Sequence, residues 1–354
     1  MSQLSSEPSS TTAPTKPASD NFVLSVAPML DWTDRHCRYF HRQLSQHTVL
    51  YTEMVTTGAL IYGKGDFLAF HPHEQPLVLQ LGGSDAEALA KSAVLAQQRG
   101  YQEVNINVGC PSDRVQNGSF GACLMAEPEL VAAGVKAIRA ATGLRVSVKT
   151  RLGIDDHDSD EFLDTFIDTV ADAGCEHFTL HARKAWLKGL SPKQNREIPP
   201  LQYERVYRAK QRRPELHITL NGGVKTMAEV AQHQPFVDGV MIGREAYQNP
   251  WLLTEFDNFM QQPNRSIERA QVIETMVAYT TAHVAAGGRC WHVARHMLGL
   301  FQGLPGAKRW RQYLSQNGPQ ASSPEALLWG AFEAVQEAML KADEKIAEFA
   351  KNSG

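Results

Sequence analysis

Short runs of β-branched and apolar residues recur along the first two thirds of the chain: FVLSVAPM (22–29), TVLYTEM (48–54), PLVLQLGG (76–83), EVNINVGCP (103–111), LRVSVKTRL (144–152), HFTLHA (177–182), LHITLNGG (216–223) and GVMIGR (239–244). Runs this short, bounded by Gly, Pro or Asn, predict strands. Between most of them the apolar positions fall at helical spacing, as in DAEALAKSAVLAQQRG (85–100), PELVAAGVKAIRAATG (128–143) and DEFLDTFIDTVADAGC (160–175), and the last two meet a Gly stop just before the next strand. Eight strands alternating with helices predict a parallel sheet with crossovers, and eight is the number that closes a TIM barrel. Period does not separate a closed barrel from a large doubly wound sheet; the count and the span 22–244 favour the barrel. After about residue 262 four helical segments follow one another with no further strand pattern. The expected organisation is a flexible tail over 1–20, an α/β TIM barrel over 21–262 and an all-α helical bundle over 263–354.

Composition narrows the class. At 354 residues, 43% hydrophobic and 21% charged, the chain buries enough surface to fold without a disulfide or metal staple. It has no run of about 18 apolar residues that would span a membrane. The first twenty residues hold twelve Ser, Thr or Pro and no apolar signal core. Five cysteines, an odd count without a CxxC pair or a Cys/His cluster, argue against a structural metal and fit a reducing cytoplasm. The net charge of -3 argues against a polyanion partner, but its distribution does not. Segment 183–213 holds ten Lys or Arg against Glu197 and Glu204, and 289–314 holds five with no acid. Such segments either track a nucleic acid or are solvated helix faces.

In a barrel, chemistry sits at the C-terminal strand ends. Those ends read Pro28-Met29-Leu30-Asp31, Glu53-Met54, Gln80, Asn105/Asn107-Gly109-Cys110-Pro111, Lys149/Arg151, His181-Ala182-Arg183, Asn221-Gly222-Gly223 and Gly243-Arg244. Glycines after strands 7 and 8, with Arg244, suit a phosphate, whether of a sugar or of FMN. Lys149 offers a fixed cation to a ring that gains negative charge, and Gln80 and Asn107 offer hydrogen bonds. His181 fits a core residue, a phosphate or ring ligand, or an acid/base, with ligand contact favoured. Cys110, between Gly109 and Pro111, is either a buried structural thiol or one displayed as nucleophile or acid. A thiol of ordinary pKa, about 8.5, is mostly protonated at neutral pH and suits an acid.

Taken together, VAPMLDWTDRHCRYF, YTEMVTTGALI, LQLGG, NINVGCPSDRVQNGSFGACLM, VSVKTRLGIDD, LHARKAWLKGLSPKQNREIPPL, LNGGVKT and DGVMIGREAYQNPW resemble the tRNA-dihydrouridine synthases. HARKAWLKGLSPKQNREIPP and RHMLGLFQGLPGAKRWRQYL resemble the A subfamily in particular. The resemblance runs from about residue 22 to 315. It implies an FMN barrel with a C-terminal helical domain that helps hold tRNA, reduced by NADPH. Pro28, Met29 and Leu30 then line the flavin, Gln80, Lys149 and His181 contact it, and Asn221, Gly222, Gly223, Gly243 and Arg244 hold its phosphate. It further implies hydride transfer from flavin N5 to uracil C6, a proton from Cys110 to C5, and U20 and U20a of the D-loop as targets. A uracil in a folded D-loop must be extruded at a cost of a few kcal/mol, which phosphate contacts would offset. Asn107, Lys193, Asn195, Arg196, Arg309 and Arg311 are the candidate tRNA contacts. Two other readings stand beside this one: a flavin barrel reducing a small molecule in the manner of a dihydroorotate dehydrogenase, and a tRNA-binding protein without catalysis. The first gives no role to the basic segments, and the second gives none to the polar ring at the strand ends.

Overall fold

The computed structural model of the chain describes residues 22–112, 120–262 and 266–352; the expected tail over 1–20 lies outside them. All eight expected strands form: β1 Val23–Val26, β2 Leu50–Thr56, β3 Leu77–Gly82, β4 Glu103–Val108, β5 Arg145–Thr150, β6 His177–His181, β7 His217–Asn221 and β8 Gly239–Ile242. They are parallel in the order β1-β8-β7-β6-β5-β4-β3-β2. The sheet closes on itself where Ser25 bridges Val49 in parallel and Val26 N and Val49 N donate to Val49 O and Leu24 O, each at 3.0 Å. This is the TIM barrel expected from the strand count.

Alternation along each strand divides its side chains between two environments. In β4, Val104, Ile106 and Val108 belong to the main hydrophobic core shared with the helices. Glu103, Asn105 and Asn107, on the other face, turn into the barrel. Ser147 and Lys149 of β5 and Gln80 of β3 do the same. The barrel lumen is therefore polar through its middle, plugged elsewhere by a small apolar cluster of Ala27, Tyr51, Val78 and Met241.

The surrounding helices are α1 Arg35–Leu44, α2 Thr57–Tyr62, α3 Ala86–Arg99, α4 Pro128–Ala141, α5 Asp160–Asp172, α6 Tyr203–Arg212, α7 Met227–His233, α8 Arg244–Gln248 and α9 Phe256–Phe259. Side-chain caps start several of them: Asp34 accepts from His36 N and Cys37 N, Asp85 from Ala88 N, and Ser159 from Phe162 N. The C-terminal segment forms α10 Arg269–Ala285, α11 Cys290–Ala294, α12 Ala307–Asn317 and α13 Pro324–Asn352. The expected division at 262/263 abuts residues 263–265, which lie outside the described residues. None of the described helices is long and apolar enough to cross a membrane.

The C-terminal helices dock on α1 and on the loop that follows β1. Asp34 Oδ2 accepts from Arg295 (2.7 Å) and contacts His296 Nε2 (3.1 Å), while Tyr247 OH meets the other nitrogen of His296 (3.1 Å). Trp32 stacks on Tyr247 at 4.4 Å, and Tyr39 of α1 stacks on Tyr279 of α10 at 3.9 Å. His36 bonds Tyr279 OH at 2.9 Å beside His283.

Burial pushes both His36 and His41 down to about 3, with the nearby histidines and arginines adding to the effect on each. Both are neutral when folded and charge readily when unfolded, so the unfolded state binds more protons between about pH 6.5 and about pH 3. Stability is thus fully present above the unfolded value and drains as pH falls below it, by up to about 1.4 kcal/mol per pH unit for each histidine. The urea midpoint is expected to drop steeply from about pH 7 to about pH 5, and His41→Gln to flatten that slope.

Candidate active site

At the open end of the barrel, the strand ends bring together Cys110, Gln80, Asn107, Lys149, His181, Asn221, Gly222 and Gly223, as expected. The loop after β4 presents Cys110. Asn107 Oδ1 accepts from Gly109 N (3.1 Å) and Cys110 N (3.0 Å), Arg151 Nε donates to Gly109 O (3.2 Å), and Ala122 N donates to Cys110 O (2.9 Å). The backbone is pinned on three sides while the half-buried thiol meets Ser112 Oγ at 3.4 Å. No disulfide competes for it. Cys123 instead donates to Phe120 O and is pushed up by burial, consistent with a structural thiol.

Lys149 is the electrostatic centre. Its ammonium donates to Asn221 Oδ1 at 2.9 Å and has no acidic partner among the described residues. Burial, reinforced by the Arg151 guanidinium, pushes it down to about 7. An ammonium has three donors, and one is in use here. Burial and the cations Arg151, Lys149, Arg183 and Arg196 hold His181 well below the usual imidazole range, so its ring is neutral at neutral pH. Beside it, Gly222 and Gly223 take φ of 116° and 81°, and a Cβ on Gly222 would stand 2.7 Å from His181 Cδ2. Glycine is required here by both backbone conformation and space. Asn221 Nδ2 donates to Met241 O, tying β7 to β8.

Pro28 and Met29 are half-buried at the end of β1, and Leu30 projects into solvent. Gly243 precedes α8 with Met29 and Ala27 nearby, and Arg244 leaves the mouth to pair with Glu197 at 2.6 Å. A phosphate at Gly243 would have to draw Arg244 from this exposed pair. The Lys149 ammonium, without a carboxylate partner among the described residues, and the left-handed Gly222-Gly223 cradle fit an anionic, ring-bearing group.

Two candidate tRNA contacts are buried and already hydrogen-bonded within the protein. Asn195 is fully buried: Oδ1 accepts from Trp186 N (2.7 Å) and Nδ2 donates to Trp186 O (2.9 Å) and Leu190 O (3.2 Å). It shapes the loop after β6 from within and cannot reach RNA. Asn107 is 9% exposed and spends its amide on Gln80 and the Cys110 loop, which makes it a support for that loop. The basic reading of 183–213 shrinks as well. Arg205, Arg208, Arg212 and Arg213 interleave with Asp158, Asp160, Asp164 and Asp168 in a ladder between α5 and α6, and Lys210 pairs with Asp238. Lys193, Arg196, Arg309 and Arg311 are exposed.

Arg151 is the site residue that sequence reasoning left without a role. Buried, it joins the Cys110 loop through Gly109 O to the loop after β6 through Asn195 O (2.9 Å) and Lys184 O (3.3 Å). Its signal was its place two residues beyond Lys149, on the same strand face.

Fold and mouth define a TIM-barrel enzyme whose opening gathers two left-handed glycines, a buried cation and a thiol. The sequence pattern of the dihydrouridine synthase (Dus) family matches residues 25–339. A tRNA-dihydrouridine(20/20a) synthase of Vibrio cholerae serotype O1 is 59% identical over 320 residues, covering 90% of this chain and 96% of the relative. The enzyme of that name from Vibrio parahaemolyticus is 58% identical over 320 residues with the same coverage, and that of Escherichia coli (strain K12) is 56% identical over 313 residues, covering 88% and 91%. The chain belongs to the dihydrouridine synthase family, whose members are flavin-dependent oxidoreductases.

Proposed function

We propose that this protein reduces uridine to 5,6-dihydrouridine at positions 20 and 20a of the tRNA D-loop, with bound FMN and NADPH as reductant, in the cytoplasm. The observation that carries the reading is a thiol held by its backbone at the barrel mouth, near the buried Lys149 ammonium, which has no acidic partner among the described residues. FMN held there and reduced by NADPH would supply the hydride for uracil C6. Cys110 gives its proton to C5 on the other side of the double bond. Lys149 offers its free donors to the ring edge that becomes negative. Gln80 and His181 line the ring, Pro28, Met29 and Leu30 flank it, and Asn221, Gly222, Gly223, Gly243 and Arg244 take the phosphate. Lys193, Arg196, Arg309 and Arg311 meet the RNA backbone, and the C-terminal helices α10 to α13 form its second wall.

The test is dihydrouridine content, nucleotide by nucleotide, in unmodified tRNA incubated with the purified protein and NADPH, after its visible spectrum is recorded. A flavin spectrum and new dihydrouridine at 20 and 20a are expected. A flavin spectrum without product would favour a small-molecule substrate, and neither would refute the site.

The ion-pair ladder divides the arginines into two kinds. Lys193→Ala and Arg196→Ala are each expected to lower the slope of log affinity against log salt by about 0.7–0.9. Arg208→Ala, whose charge Asp160 and Asp164 already neutralise, is expected to leave that slope unchanged. Filter binding across a salt series reads both.

A further inference from the structure

A line of buried side chains crosses the barrel from its closed end to the active-site loop. Ser147 Oγ donates to Glu103 Oε1 (2.7 Å), Asn105 Nδ2 to Ser147 Oγ (3.0 Å), Gln80 Nε2 to Asn105 Oδ1 (2.8 Å), and Asn107 Nδ2 to Gln80 Oε1 (2.8 Å). Asn107 Oδ1 then accepts from Gly109 N and Cys110 N. The line follows strand register: Gln80 pairs with Asn105 and Asn105 with Ser147.

Both ends fix its direction. An ionised carboxylate only accepts and a backbone N–H only donates. With an acceptor at the bottom and two donors at the top, each amide between them has one orientation that satisfies every bond. Reversal of any one sets nitrogen against nitrogen at its neighbour. Glu103 keeps its charge: burial would raise it, but His177, Ser147 and Arg145 outweigh burial and hold it below the usual carboxylate range. His177 stands 3.8 Å from Glu103 and Arg145 3.5 Å, and His177 Nε2 is itself held by Thr219 Oγ1 at 2.9 Å.

We propose that Glu103 and Ser147 are positioning residues for Cys110, acting through Asn105, Gln80 and Asn107 to hold the acceptor oxygen of Asn107 against the loop that carries the thiol. The proposal rests on the reading of Cys110 as the proton donor. Without the Ser147 hydroxyl, Asn105 Nδ2 loses its acceptor and Glu103 its donor, so Asn105, Gln80 and Asn107 are fixed from the loop end alone and held less tightly. At its end, Asn107 Oδ1 would be held less firmly against the N–H groups of residues 109 and 110, and the loop would shift. Flavin reduction by NADPH needs no proton from Cys110, so the damage falls on one half of the cycle.

The test is anaerobic stopped-flow on the flavin-loaded enzyme, with reduction by NADPH and reoxidation by dihydrouridine-free tRNA followed separately. In Ser147→Ala, flavin content and melting temperature are expected to match wild type, reduction to stay within about twofold, and reoxidation to slow at least about tenfold, since a shift of about 1 Å costs up to about a hundredfold. Ser147→Thr, which keeps the hydroxyl, restores the rate, and Asn105→Ala repeats the slowing. Unchanged reoxidation in Ser147→Ala and Asn105→Ala overturns the proposal. Equal slowing of both half-reactions also overturns it, because the line then serves the cofactor seat. Loss of fold or flavin in both variants overturns it too, as a purely structural role would. Wild type that NADPH reduces but tRNA does not reoxidise refutes the uridine reading itself, and the relay with it.

Discussion

Replacing Cys110 by alanine is expected to leave a folded, yellow protein that NADPH still bleaches but that forms dihydrouridine about 10²–10⁴-fold more slowly, the usual contribution of a positioned general acid. The separation is this clean because the thiol carries little structural load. Its loop is held through main-chain atoms, by Asn107 at the amide of Cys110, by Ala122 at its carbonyl and by Arg151 at the carbonyl of Gly109. Alanine keeps all three. The side chain itself meets only the Ser112 hydroxyl among the described contacts, at 3.4 Å. Nucleotide-resolved dihydrouridine analysis over a time course measures the loss. A rate within threefold of wild type would remove Cys110 from the proton step and move attention to the rest of the loop.

Lys149→Met is the second large effect. Methionine fills similar volume but removes the charge from the floor of the mouth. Loss of one preorganised charge stabiliser commonly costs about 10²–10³ in turnover. Here that loss should appear in flavin reduction as well as in product formation, unlike that of Cys110→Ala. The ammonium at about 7 adds a pH signature. In the flavin-free protein it sheds its proton as pH rises through about 7, so an anionic ligand binds more weakly on the alkaline side. FMN titrations at about pH 6 and about pH 8.5 are expected to show weakening in wild type and none in Lys149→Met. Equal pH dependence in the two proteins would take Lys149 out of the anion seat.

The barrel was legible because each strand is a short apolar run closed by a turn signal, and eight of them leave few ways to arrange a sheet. The mouth was legible because polar residues and glycines gathered where those runs end. What stayed hidden depends on contacts between distant positions. Arg208 and Asp164 lie on separate helices, and only packing of α5 against α6 turns a basic stretch into a neutral ladder. Asn195 sits in a run of charged, exposed residues, yet its amide closes the loop from inside. Asn107 and Asn105 both read as strand-end ligands, although their alternation with Val104, Ile106 and Val108 places them in the lumen facing each other's neighbours. Glu103 and Ser147 gave no sign, since one sits at a strand's start and the other in its middle, away from the mouth.

Asp34 caps α1 with one carboxylate oxygen and grips Arg295 and His296 with the other. Burial would raise its pKa, but His296 and the Cys37 amide prevail and hold it well below the usual carboxylate range. It stands four residues after Leu30, on the loop that follows β1. The barrel and the helices beyond it are thus not interchangeable modules. A chain cut near residue 262 would strip Asp34 of its cation and bare the stacked face of Tyr39. It would also loosen the loop after β1, so the C-terminal helices support one rim of the barrel mouth.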